Sequence, residues 1–174
     1  KQYEKINGFG VMLVDTPSHQ NRVVWNRYKR KPEIFYRLSE SDKHRLRIAA
    51  TKGVEIMFGT GAKEVMLPSE EIIGSLSRPH FHDREQATYC NELKFLPHQT
   101  SITSAHCQAT VSMGEDHKMG ILNSRCESKY VRNLIVCDSS SFPDSCGANP
   151  MVSIMTMARY QGTRISAELA RYDL

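Results

Sequence analysis

NLIVCDSSSFPDSCGANPMVSIMTMA, residues Asn133–Ala158, is the stretch around which the rest of this chain is organised. Asn133 to Cys137 is mostly apolar and closes at Asp138, the pattern of a short buried strand ended by a polar turn. The run Ser139–Gly147 follows, and then Asn149-Pro150. Asn is a good helix N-cap, and Pro suits the first helical position because its missing N–H would be an orphan there. Met151, Ile154, Met155, Ala158, Ile165 and Leu169 then recur at helical spacing. The expectation is a strand, a loop, and the positive end of a helix of four or more turns. Free N–H groups at such an end can hold an anion or a group acquiring negative charge. Strand–loop–helix units without any ligand are also common, and on these residues alone both readings stand.

Upstream, GFGVMLVD (Gly8–Asp15) predicts a strand entered through glycines, and a turn follows through Pro17. RVVWNR (Arg22–Arg27) and PEIFYRL (Pro32–Leu38) predict two more strands, the second half-exposed by its alternation. The period then changes. Ser39 and Asp42 form an N-terminal cap pair, and Leu46, Ala49, Ala50, Gly53, Met57 and Phe58 mark one helix face ending near Gly59 or Gly61. AKEVML (Ala62–Leu67) returns to extended structure. Ile72 and Ile73 suggest a short helix, Ser75–Asp83 a loop, and Arg84–Phe95 another helix. These elements predict an α+β lobe on a mostly antiparallel sheet, with a soft boundary near 97–106 and α/β-type structure beyond it.

The 174 residues, 40% hydrophobic and 24% charged, are those of a soluble globular protein. Net charge is +4, and the one dense basic patch, Arg27, Lys29, Arg30 and Lys31, reads as a solvated turn. No nucleic-acid partner is expected, because stacking aromatics and basic stripes do not recur. No run approaches the ~18 apolar residues of a spanning helix. The polar start at Lys1, with neither an initiating Met nor a signal-like segment, reads as part of a longer protein. Compartment is left open between cytoplasm and a membrane periphery. The 5 cysteines contain no C-x-x-C, which argues against a disulfide framework and a zinc knuckle. His80-x-His82 has no matching Cys or carboxylate motif, so no metal is expected.

His106, within SAHCQAT, is of the type that takes up a proton near neutrality, although a structural histidine looks the same in sequence. Asn149 is equally compatible with a plain cap. The serines after Asp138 form neither a G-x-S-x-G elbow nor a phosphate loop, and nothing marks Cys107 or Cys146 as a nucleophile.

Asn133-Leu134, Val136, Asp138, Ser140, Pro143, Gly147, Asn149-Pro150 and Ile154 fall at the spacing N-L-x-V-x-D-x-S-x-x-P-x-x-x-G-x-N-P-x-x-T-I, with Ser153 in place of Thr. This resembles the closing signature of the glucose–methanol–choline oxidoreductases, FAD-dependent alcohol oxidases and dehydrogenases. The likeness is nearest to the branch of long-chain alcohol oxidases and cholesterol-oxidase-like proteins. Ser104, Ala105, His106, Thr110, Met113 and Gly114 resemble the family's S-A-H-x-x-G-T-x-R-M-G, and Pro32–Asp42 resembles the opening of its substrate domain. The resemblance implies that His106 accepts the substrate hydroxyl proton and Asn149 helps hold the alcohol oxygen. It places Pro150 and Met151 under the pyrimidine edge of the flavin, and Asp138 and Ser139 near the FAD pyrophosphate or ribityl chain.

The implied architecture is the C-terminal portion of a two-domain flavoprotein. Residues 1–105 would form a substrate-binding lobe; residues 106–174 would supply the active-site loop and the last strand and helix of the FAD-binding domain. The implied substrate is a small-molecule alcohol, long-chain in the nearest branch, and the implied partner is an N-terminal FAD-binding half. No G-x-G-x-x-G with a following acidic residue occurs, so this chain alone is not expected to hold FAD. Ala109 and Cys126 stand where the family has glycine, and Ser112 where it has arginine. These departures keep a rival open: a diverged or truncated remnant that acts as a structural or interaction module.

Overall fold

The computed structural model describes residues 5–16, 18–116 and 120–172; Pro17 and part of the turn-rich stretch after Glu115 lie outside them. Its elements, in chain order, are β1 (Arg22–Asn26), β2 (Lys31–Phe35), α1 (Glu40–Gly59), β3 (Val65–Met66), β4 (His80–Phe81) and α2 (Met151–Ala167), with short 3-10 turns between them. Both sheets are two-stranded and antiparallel. The chain divides into two compact units, Lys1–Thr16 with Leu38–Thr103 and Pro17–Arg37 with Ser104–Leu174.

In the first unit, α1 begins as its sequence dictates. The Ser39 side chain accepts from Asp42 N at 3.0 Å, and its hydroxyl donates to Asp42 Oδ2 at 2.6 Å. Asp42 is buried and also receives Arg45 and Thr16. Burial works to raise its pKa, but the bonds from Ser39, Arg45 and Thr16 outweigh it and hold the carboxyl below its ordinary range. The helix stops at Thr60–Gly61, where Gly61 takes φ +94. The core beneath it gathers Val54, Val65, Ile73, Phe81, Ala87, Cys90 and Leu93. Burial pushes the Cys90 thiol up to about 11, so it packs as a small hydrophobe.

Several expectations fail here for identifiable reasons. Gly8–Asp15 is not a strand. Phe9 and Val11 instead lie over α1 at Gly53, where an added Cβ would stand 3.4 Å from Val11. Ile73 and Leu76 bond reciprocally across a turn at Gly74 (φ +54), which replaces the expected short helix. Ser75–Asp83, read as a loop, contains β4, whereas the helix expected over Arg84–Phe95 is present, as a 3-10 helix over Glu85–Glu92. Polar residues offered no strand period at β4; only pairing with β3 makes it one.

In the second unit, β1 and β2 form a hairpin in the register Arg22↔Phe35 to Asn26↔Lys31. The basic patch lies at its turn, where Asn26 Oδ1 accepts Lys29 N at 2.9 Å. Trp25, Ile34 and Phe35 are exposed. The strand expected at Asn133–Asp138 is absent: among the described residues Ile135 makes only an isolated bridge to Glu127, and Leu134 is exposed. An apolar run indicates a wish for burial, but a strand also needs a neighbouring ladder. The run is fixed instead by single bonds, Val136 N to Cys126 O (3.0 Å) and Ser128 N to Leu134 O (2.8 Å).

α2 is also turned differently from its apolar pattern. Met151 and Met155 are 66% and 63% exposed, whereas Gln161 is 2% exposed. The buried edge is polar toward its C-terminus. Gln161 Nε2 reaches Cys126 Sγ (3.4 Å) and its Oε1 accepts Arg164 Nε (2.8 Å). Arg164 donates to Arg125 O, Glu127 Oε1 and Tyr172 OH, and Tyr172 OH donates in turn to Glu127 Oε1 (2.8 Å). Burial opposes ionisation of Glu127, but bonds from Tyr172, Asn123 and Arg125 and the charge of Arg171 hold its pKa at about 2.

A depressed carboxyl stabilises the fold above its unfolded pKa and ceases to do so as pH falls toward its folded value. The acid limb of the stability curve should therefore steepen between about pH 5 and 2, with Glu127 contributing up to roughly 3 kcal/mol before solvent screening at Arg171 is allowed for. Denaturant titrations across that range should show a flatter limb in Glu127→Gln, alongside a lower plateau at neutral pH.

A second ionic device holds the turn before this network. The Lys129 ammonium donates to the carbonyls of Gly114 (2.5 Å), Glu115 (3.5 Å), Asp116 (2.9 Å) and Gly120 (3.1 Å).

Candidate active site

The segment carrying His106 is registered against the serine turn after Asp138. Ala109 N donates to Ser139 O (3.3 Å), Val111 N to Ser140 O (2.9 Å) and Met113 N to Ser141 O (2.9 Å). Three consecutive carbonyls thus bind three alternate amides. The serine turn is itself a short 3-10 helix capped by Asp138, whose Oδ1 accepts Ser140 N at 2.8 Å and the Ser140 hydroxyl at 2.5 Å. These bonds hold the Asp138 carboxyl below its ordinary pKa against the opposing effect of burial.

Gln108 completes the arrangement. Its Oε1 accepts Cys146 N at 3.2 Å, and its Nε2 reaches His106 O at 3.4 Å. One side chain therefore ties the histidine loop to the loop that runs into Asn149 and α2. Neither Gln108 nor the serine carbonyls were singled out in the sequence. A glutamine two residues after a histidine carries no pattern of its own.

His106 is half-buried and Asn149 is exposed. Asn149 is not the helix cap: that position is taken by Pro150 (φ −85, ψ 0), with no side-chain capping bond, and Pro150 O accepts Ile154 N at 2.9 Å. Proline's fixed φ carries the chain into the helix, so the asparagine amide is not used there. Pro150 is buried, and Met151, Val152 and Ser153 in the first turn are exposed. Asp138 is exposed and Ser139 half-buried, with the Ser139 carbonyl receiving Ala109 N and Phe142 N.

The two residues standing where glycine was expected adopt glycine-like backbone: Ala109 has φ 64 and Cys126 φ 59. The left-handed conformation costs an L-residue about 1–2 kcal/mol, while Gly carries an entropic disadvantage of ~0.5–1 kcal/mol. Ala109→Gly should thus stabilise the fold by up to about 1 kcal/mol, read from denaturant midpoints. Cys126→Gly should gain nothing, because the buried Cys126 Sγ also contacts Met113 Sδ (3.5 Å) and Gln161. Burial raises the Cys126 pKa, keeping it a thiol. Ser112, the third departure, uses its carbonyl to accept Ile121 N (2.9 Å) and Leu122 N (3.2 Å).

Among known proteins, a family model described as GMC oxidoreductase matches residues 17–158. The chain is similar to long-chain-alcohol oxidases of Arabidopsis thaliana. One is 25% identical over 147 residues, covering 81% of this chain and 20% of that protein. A second is 27% identical over 146 residues, covering 79% and 19%. A third is 29% identical over 133 residues, covering 72% and 18%. The chain therefore spans about a fifth of the length of the curated relatives it matches. No solved structure gives a significant match.

Proposed function

The chain belongs to the GMC oxidoreductase family, and from that membership we propose that it carries the substrate-facing end of an FAD-dependent oxidoreductase acting on the CH–OH group of an alcohol. The observation that carries this reading is the Gln108 tie, which gathers the His106 loop and the approach to α2 in one place. In this reading residues 1–105 contribute the substrate lobe and residues 106–174 the catalytic loop and the flavin-facing helix. The substrate class is a small-molecule alcohol, and the similarity to long-chain-alcohol oxidases favours a long-chain one.

The residues at the start of α2 fit one edge of a flavin. No side chain caps the first turn, and Met151, Val152 and Ser153 are exposed, so its N–H groups are accessible to an acceptor. Bound FAD would supply the two-electron acceptor, taking a hydride from the alcohol carbon. His106 would take the hydroxyl proton on a ring nitrogen as the carbonyl forms. The Asn149 amide would donate to the same oxygen and fix its direction. Pro150 and Met151 would bring the positive helix end to where negative charge grows. Asp138 and Ser139 suit a ribityl hydroxyl better than a pyrophosphate, because the Asp138 carboxyl is held ionised and would repel phosphate. The exposed apolar residues Met151, Val152 and Met155 would be covered by the FAD-binding half of the protein.

The strain at Ala109 and Cys126 favours a second reading, a diverged module without catalysis. Anaerobic mixing of the FAD-loaded full-length protein with primary, secondary and long-chain alcohols separates the two. Bleaching of the flavin absorbance supports the enzyme; a loaded protein bleached by none of them supports the module.

A further inference from the structure

His80, on β4, and His82, just beyond its end, stand two apart in the chain, while Phe81 between them is fully buried in the core. The register pairs Val65 with Phe81 and Met66 with His80; Glu64 directly precedes β3 and His82 directly follows β4. Val65 and Phe81 face the core, whereas Glu64 and His82 are exposed and His80 is half-buried. Glu64 Oε2 lies 2.9 Å from His80 Nε2, and the two imidazole rings are 4.4 Å apart at 42°. One ligand atom from each of the three residues can be chosen so that all lie within 4.8 Å of one another. The carboxylate that the sequence did not offer near His80-x-His82 is thus delivered by the neighbouring strand.

We propose that Glu64, His80 and His82 form a binding site for a divalent transition metal of the zinc class, clasping β3 to β4. Bonds of ~2.0–2.2 Å to imidazole nitrogen and carboxylate oxygen require ligand atoms ~3.0–3.5 Å apart. The Glu64–His80 pair, at 2.9 Å, lies just under that spacing. Glu64 and His82 are exposed, so side-chain rotation brings the third ligand in without moving the core. Two imidazoles and one carboxylate favour zinc and its transition-metal neighbours over calcium or magnesium, which take oxygen ligands. Three protein ligands leave a coordination position for water. The clasp has a mechanical purpose: β3 and β4 are two residues each, a pairing with little ladder of its own.

Zinc chloride titrated into the protein against a chromophoric chelator should show one saturable site per chain, and a thermal midpoint that rises with zinc. Cobalt(II) in its place should give visible d–d bands that zinc bleaches. Glu64→Gln and His82→Ala, both at exposed positions, should each weaken zinc binding at least about tenfold, no less than loss of a second-shell partner costs a metal site. They should also abolish the thermal shift, while His44→Ala, on α1, leaves both unchanged. Zinc affinity equal in parent, Glu64→Gln and His82→Ala would assign the uptake to scattered surface histidines and overturn the proposal. Absence of a saturable site at micromolar zinc would overturn it equally.

Discussion

In the full-length protein, His106→Ala is expected to slow reduction of the bound flavin by alcohols at least about 100-fold, the lower end of what loss of a general base costs. In the proposed mechanism the histidine would take the hydroxyl proton as the carbonyl forms, so without it the alcohol would have to lose hydride while still protonated on oxygen. FAD content should not change, since His106 is held through its backbone and loop by Gln108 and the serine turn. Asn149→Ala should cost less, because in the proposed mechanism it would remove an oxygen-positioning bond and no proton acceptor. Asn149 does not cap α2, so that variant should keep its thermal midpoint, which separates a catalytic loss from a folding one. Anaerobic stopped-flow absorbance provides the rates. A His106→Ala protein reduced as fast as the parent by every alcohol the parent accepts would remove His106 from the mechanism.

Gly120→Ala is expected to be the most damaging conservative change in the second unit. A Cβ on Gly120 would lie 2.6 Å from Gly114 N, Met113 C and Ser112 O, all backbone atoms that cannot rotate away. The cost should reach about 3 kcal/mol, the upper end for overpacking, because relief requires displacing the 112–114 backbone. That backbone also ends the ladder registering His106, through Met113 N to Ser141 O. Loss of stability should therefore be accompanied by slower flavin reduction. Gly162→Ala is the matched control: it lies inside α2 with nothing within 4 Å, and alanine there should stabilise by about 0.5–1 kcal/mol. Equal midpoints for the two variants in chemical denaturation would contradict the packing at Gly120.

What could be read in advance was what is local. The Ser39–Asp42 cap, the α1 face and the strands that became β1 and β2 follow from periodicity and local chemistry over a few residues, and all are present. The glycine-like course at Ala109 and Cys126 was legible too, because a backbone conformation persists after its favoured residue is replaced. Residues 133–138 were misread because burial and pairing are separate requirements, and sequence shows only the first. α2 was legible as a helix of four or more turns from Met151, but its buried edge was not, because Gln161 and Arg164 are satisfied by Cys126, Arg125, Glu127 and Tyr172, partners distant in the chain or hidden among charges. Glu64 could be matched to His80 and His82 only once the strand register was known.

The carbonyl cage around Lys129 resolves a problem that proteins with tight polar loops usually solve with a bound ion. Backbone oxygens of Gly114, Glu115, Asp116 and Gly120 converge on one positive charge, as they would on potassium or sodium. Here the cation is covalently attached to the chain and cannot be diluted away or exchanged. The placement of those four carbonyls should therefore be indifferent to the alkali-metal content of their surroundings. Its vulnerability is chemical instead: acetylation of a single amine would remove the charge that these oxygens share.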